Sequence, residues 1–125
     1  MTSHKIHFEA AKDLQRIADE SIDLIVTSPP YPMIEMWDDI MGKQNPAIQK
    51  ALQNGEGMTA FELMHKELDK TWKACYRVLK EGGIACINIG DTTRTLNGNF
   101  ALYPNHARVI QSFSSAGFQC LPHII

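Results

Sequence analysis

In this chain of 125 residues, Thr27-Ser28-Pro29-Pro30-Tyr31 holds the residue types and spacing best suited to chemistry. Two consecutive prolines fix their own φ angles and hold the residue before them extended. The Ser28 hydroxyl and the Ser28 and Pro29 carbonyls are therefore presented in a rigid frame. Neither proline has an N–H, so the cluster offers acceptors and few donors. Tyr31 adds a planar face beside them. Acceptors next to an aromatic plate suit a flat ligand that carries an NH2 group.

The amino nitrogen of cytosine or adenine is a weak nucleophile, because its lone pair is spread into the ring. Two acceptors taking its two hydrogens favour a pyramidal nitrogen with a localised lone pair. That nitrogen can attack a methyl group on a sulfonium in line. Catalysis of this kind is positioning and polarisation, and no basic side chain is demanded before transfer. A base inside a duplex must first leave the stack, and stacking on Tyr31 offsets part of that cost.

Such a corner must be held by a strand. Ile22-Asp23-Leu24-Ile25-Val26 is dense in branched apolar residues and reads as a buried strand that the prolines stop. Ligands of open α/β sheets bind beyond the carboxyl ends of the strands, which is where Ser28 falls. Upstream, Lys5 to Phe8 reads as a short strand and Ala10 to Ala18 as a helix. Residues 32 to 58 read as irregular, with a turn or two of helix over Ala47 to Gln53.

Thr59-Ala60-Phe61-Glu62 has a capping-box pattern, and Phe61, Met64, Leu68, Trp72, Cys75 and Leu79 recur at helical spacing. Gly82-Gly83 reads as the helix stop. Ile84 to Ile89 is a second buried-type strand, and Thr92 to Gly98 a polar loop. Pro104 to Ala116 reads as a helix with Ala107, Ile110 and Phe113 inward, and Phe118 to Ile125 as a further strand. Alternation of this kind predicts an α/β fold, with parallel strands and helices on both faces.

The stretch from Ile22 to Tyr31, IDLIVTSPPY, resembles the catalytic motif of the DNA amino-methyltransferases that act on cytosine N4 or adenine N6. Their pattern is an acidic residue, Ser or Asn, then Pro-Pro and an aromatic; Ser in first place is seen chiefly in the cytosine-N4 enzymes. Glu9-Ala10 stands where that family usually has Asp-Ala, and Leu79-Lys80-Glu81-Gly82-Gly83 before IACINIGD resembles its next helix stop and strand. The resemblance implies a partial Rossmann-like methyltransferase fold with S-adenosyl-L-methionine as cofactor. It implies Ser28, Pro29, Pro30 and Tyr31 as the catalytic residues, and Glu9, Ala10 and Ser28 as cofactor contacts. The implied partner is double-stranded DNA with a flipped target base, in a restriction–modification system.

The family's Phe-x-Gly-x-Gly loop, which cradles the methionine end of the cofactor, does not occur in this sequence, and Leu121 to Ile125 is still apolar. Residues 1–125 are therefore expected to form the N-terminal catalytic portion of a methyltransferase domain, truncated or one piece of a split enzyme. Strands left unpaired would leave bare sheet edges, open to a complementing chain or to self-association. A net charge of −2 and a pI near 6.2 are a poor match to a polyanion, so most phosphate contacts would come from elsewhere. The rival readings are adenine-N6 methylation by the same residues, and a non-enzymatic subunit that binds a chain carrying the glycine loop.

The remaining reactive side chains have plainer readings. Cys75, Cys86 and Cys120 form no CxxC pair, lie in apolar stretches and read as buried, inert thiols. No Pro-Cys setting is present for a covalent thiolate mechanism. His4, His7, His65, His106 and His123 share no metal-like spacing, so no metal is assigned. Trp37, Met33 and Met36 read as loop packing, with a pocket wall as the alternative. Asp38 and Asp39 read as solvated charges, Asp91 as a turn cap or site residue, and Lys43, Lys50, Arg94 and Arg108 as solvated or phosphate-facing. No signal peptide follows Met1 and no run approaches the ~20 apolar residues of a membrane span, so the expectation is a cytoplasmic protein without a membrane partner.

Overall fold

The computed structural model describes residues 1–122 and 124. The strand at Ile22–Thr27 (β1) forms as its composition predicts. It pairs in parallel with Leu79–Ile87 (β2), placing Leu24 opposite Ile84, Val26 opposite Cys86 and Thr27 opposite Ile87. Ile25 and Ile87 pack against the helical core. Leu24, Val26 and Ile84, on the other face, stay exposed at 56%, 73% and 48%. Helices thus cover one face of this pair, not both.

Gly82-Gly83 does not stop the helix. The preceding helix ends at Val78, and β2 begins at once at Leu79. The glycines instead absorb an irregularity in the parallel register between Ile22 and Leu24 of β1. Gly82 has φ +80, and a Cβ at Gly83 would come within 2.8 Å of the Lys80 carbonyl oxygen, so both points call for glycine.

Between β1 and β2 the chain is more helical than expected. A 3-10 turn at Glu35–Trp37 leads into Asp38–Gln44 (α1) and Pro46–Gln53 (α2). The Asn45 side chain accepts from the Ala47 N–H at α2's start, and Pro46 occupies the first turn where a missing N–H costs nothing. The long helix Gly57–Val78 (α3) carries the predicted apolar stripe. Its start is three residues earlier than the capping box implied, and Glu56 at the N-cap makes no side-chain cap.

Thr92 to Gly98 is not a loop. Thr92–Leu96 (β3) and Asn99–Tyr103 (β4) form an antiparallel hairpin. Asn97 and Gly98, at φ +49 and +79, make the two-residue turn that Asn-Gly favours between strands. The last helix, Asn105–Ala116 (α4), ends on Gly117 at φ +114. Its buried positions are Asn105, Val109 and Ser112; Phe113 packs against the core as predicted, while Ala107 is exposed.

Three expected elements do not form among the described residues. Lys5 to Phe8 is exposed and irregular, since no described strand pairs with it. Ala10 to Ala18 forms turns rather than a helix. Arg77 takes the Asp13, Leu14 and Ile17 carbonyls at 2.9–3.0 Å, and Leu14 sits at φ +49, which ends any helical run. Residues 118–122 and 124 form no strand; His123 and Ile125 lie outside the described residues. Among the described residues no helix is long and apolar enough to cross a membrane.

Candidate active site

Thr27 closes the β1 ladder by accepting from the Asn88 N–H at 2.9 Å. Beyond it Ser28 is exposed, Pro29, Pro30 and Tyr31 are half-buried, and Pro32 and Met33 are buried. The chain then turns back, with the Ile34 N–H donating to the Tyr31 carbonyl at 3.2 Å. The Tyr31 ring lies over Gly90, just past β2: a Cβ there would stand 3.6 Å from Tyr31 Cε2. The four predicted catalytic residues thus form one open rim at the carboxyl ends of two parallel strands.

The rim is braced from below. Met33 has φ +72, a conformation an unbranched L residue adopts only when its surroundings impose it. Its N–H donates to Met64 Sδ at 3.3 Å, and its carbonyl accepts from Arg94 Nη1 at 3.2 Å. Arg94 also grips Asp38 through two bonds of 2.9 and 2.8 Å. Asp38 and Arg94 are therefore a largely buried fork pair joining the hairpin to the start of α1, not solvated charges. Asp38's hydrogen bonds hold the Arg94 guanidinium pKa above its ordinary value.

The two buried polar side chains His65 and Asn105 lie deeper. His65 Nε2 and Asn105 Oδ1 are 2.9 Å apart. Asn105 Nδ2 donates toward the Pro32 carbonyl at 3.0 Å, the Gly90 carbonyl at 3.2 Å and Thr92 Oγ1 at 3.1 Å. Sequence reasoning missed this network, because its members lie 13 to 73 residues apart and no local pattern links them. Burial is the largest influence on His65 and lowers its pKa; Arg108 acts in the same direction, while the Asn105 bond, Asp69 and Glu62 oppose.

That shift has a sign. The unfolded chain takes up this proton near pH 6.5, and the folded chain resists it. Stability is therefore fully present above about pH 6.5 and declines as pH falls from there toward the folded value, by up to ~1.4 kcal/mol per pH unit. Urea midpoints measured across this range should fall on acidification in the parent and stay flatter in His65→Leu.

The other assigned residues distribute as follows. Glu9 and Ala10 are exposed, and Glu9 Oε2 accepts from Arg16 Nε at 3.1 Å; no hydrogen bond or ion pair among the described residues brings either to the rim. Asp91 caps α4, accepting from the His106 N–H and facing His106 Nδ1, both at 3.1 Å. Burial works to raise its pKa, but these contacts with His106 outweigh it and lower it. Trp37 packs against the core and Met33 is buried, while Met36 is exposed. Arg108 is engaged by Glu62, Asp69 and Ser112, which removes it from phosphate duty.

Cys75 is buried and its thiol is pushed up to about 11 by burial. Cys86 and Cys120 are exposed, contrary to expectation: Cys86 stands on the uncovered sheet face and Cys120 past α4. Two cavities lie away from the rim. One of about 350 Å³ runs between α3 and α4 beside Trp72 and Arg108, and one of about 580 Å³ lies beside Asp38, Arg94 and Leu96. Neither cavity is lined by residues 28–31.

Comparison with known proteins bears on what such a rim does. The family model described as DNA methylase matches residues 22–125. The type II methyltransferase M.MjaI of Methanocaldococcus jannaschii is 48% identical over 135 residues, taking in 99% of this chain and 45% of that protein. M.MthZI of Methanothermobacter thermautotrophicus, another type II methyltransferase, is 47% identical over 99% of this chain and 35% of its own length. This chain therefore spans less than half the length of these curated relatives. TTHA0409 of Thermus thermophilus, described as a DNA modification methylase, matches with a TM-score of 0.70 and 25% identity over 95% of this chain and 42% of that one. Its complex with S-adenosyl-L-methionine matches with a TM-score of 0.66 at 27% identity, over 89% and 40%.

Proposed function

We propose, from the premise that this chain belongs to the DNA methylase family, that it is the catalytic portion of a site-specific DNA methyltransferase, acting on the N4 amino group of cytosine in a restriction–modification system. The observation that carries this is the open rim: Ser28 exposed at the tip of β1, in a proline frame, with Tyr31 beside it. The Ser28 hydroxyl and the Pro29 carbonyl accept the two amino hydrogens of a base turned out of the duplex. Pro30 sets the bend, and Tyr31 stacks on the base. Polarised this way, the nitrogen lone pair localises, and the developing positive charge is met by oriented dipoles rather than by a base.

Ser28, Glu9 and Ala10 are the residues that would hold S-adenosyl-L-methionine, Glu9 on exchanging its Arg16 contact. The exposed Ser28 hydroxyl and the Glu9 carboxylate suit its hydroxyl and ammonium groups, with Ala10 beside Glu9. When bound, it supplies a methyl group on a sulfonium. Double-stranded DNA is the partner. A complementing chain, or self-association through the bare edges of the β1–β2 sheet, belongs to the same reading, as does a cytoplasmic setting.

The test is the product. DNA treated with the full-length protein and S-adenosyl-L-methionine is digested to nucleosides and analysed by mass spectrometry. N4-methyldeoxycytidine is expected. N6-methyldeoxyadenosine would move the target to adenine while keeping every assigned role, and the absence of both would overturn the proposal.

A further inference from the structure

Asn105 and His65 have no exposed surface, and in an apolar core a polar pair is costly unless its bonds are made. The Asn105 amide is oriented unambiguously: its Nδ2 faces three oxygens and its Oδ1 faces a ring nitrogen. His65 must therefore donate from Nε2. That fixes the neutral tautomer with Nδ1 bare, and Nδ1 is buried without a partner among the described residues. The pair thus spends an unsatisfied acceptor to hold one amide in one orientation.

The three oxygens belong to three separate stretches. Pro32 follows the rim, Gly90 follows β2 beneath the Tyr31 ring, and Thr92 opens the hairpin. One side chain at the start of α4 therefore sets the spacing between the tips of β1 and β2. It fixes the backbone on both sides of Tyr31. We infer that Asn105 is a positioning residue for the rim, and that His65 keeps its amide in register. This rests on the reading of the rim as the place where the base is held.

The consequence is specific. Leucine at position 65 would remove the bare Nδ1 and pack in apolar surroundings, so the fold should lose little. It would also leave the buried Asn105 Oδ1 without its donor, so that the amide is held from its Nδ2 end alone. The catalytic frame would loosen without a loss of stability, a pattern that a merely structural role cannot give.

The experiment compares His65→Leu, His65→Gln, Asn105→Ser and Ser28→Ala in the full-length protein. Two readouts are used: amide hydrogen exchange over residues 31–34 and 90–92, and steady-state methyl transfer to DNA. His65→Leu, which trades one buried orphan for another, should melt close to the parent at neutral pH, exchange faster in both segments, and lose about 10- to 100-fold in kcat with KM for DNA little changed. Asn105→Ser, too short to span the gap, should show the same faster exchange and the same loss of kcat, together with a lower melting temperature, because it strands the His65 Nε2–H. His65→Gln, whose amide restores a donor, should recover both. Unchanged exchange and parental kcat in both His65→Leu and Asn105→Ser would overturn the inference. If Ser28→Ala keeps full kcat, the base-holding reading fails instead, and the exchange data still decide whether the latch exists.

Discussion

Ser28→Ala is expected to lower kcat for methyl transfer by about 10²–10³-fold, with KM for DNA little affected. In the ground state the amino hydrogens can bond to water almost as well as to a serine. As the nitrogen bonds to the incoming methyl carbon, it gains positive charge and its hydrogens become better donors. The Ser28 hydroxyl bond therefore strengthens toward the transition state, and only such differential interactions raise kcat. Alanine preserves the proline frame and the backbone carbonyls. Ser28→Asn, which returns a side-chain acceptor one bond further out, should keep part of the activity. Single-turnover kinetics on a cognate duplex separates the chemical step from binding. A Ser28→Ala protein with parental single-turnover rate would remove Ser28 from the chemistry.

The reasons this rim could be read from sequence are local. Ile22 to Val26 had to be a strand, the prolines had to end it, and strand tips are where α/β sheets bind ligands. The α3 stripe was equally legible, because Phe61, Met64, Leu68, Trp72 and Cys75 repeat at helical spacing and all become buried. The hairpin was legible in principle. Asn97-Gly98 is the strongest short turn signal, but Thr92 to Thr95 looked too polar for a strand.

The failures share a different cause. Apolar content at Lys5 to Phe8 suggested a strand, but a strand requires a neighbour, and sequence alone does not say whether one is present. Ala10 to Ala18 had helical spacing, yet the distant Arg77 guanidinium claims the carbonyls a helix would have used. Asp38 and Arg94 looked like scattered charges because nothing local shows that they meet across 56 residues of chain. The cysteine at 86 alternates onto the side of β2 that no described element covers. Local rules thus recovered the strand tip that offers the chemistry, while tertiary contacts, invisible to them, hold it in place.

Those contacts depend on α4 staying docked to α3, and Trp72 is the largest of the buried side chains that join them. It is 1% exposed, and its ring meets Phe113 of α4 at a centroid distance of 4.9 Å. Trp72→Ala should cost about 3–5 kcal/mol, since the cavity it leaves cannot fully collapse. Against a total of roughly 5–15 kcal/mol, this is enough to unfold a measurable share of the chain near physiological temperature. Trp72→Phe should behave differently. The indole Nε1 is buried with no hydrogen-bond partner among the described residues, a penalty of about 1–3 kcal/mol. Phenylalanine gives up some packing but removes that orphan donor, so the two changes largely offset, and its urea midpoint should lie close to the parent's. If Trp72→Phe is instead as damaging as Trp72→Ala, the indole N–H has a partner, and the adjoining cavity of about 350 Å³ is where that partner sits. The ordering of the two variants therefore separates packing from hydrogen bonding at the seam that carries Asn105 to the rim.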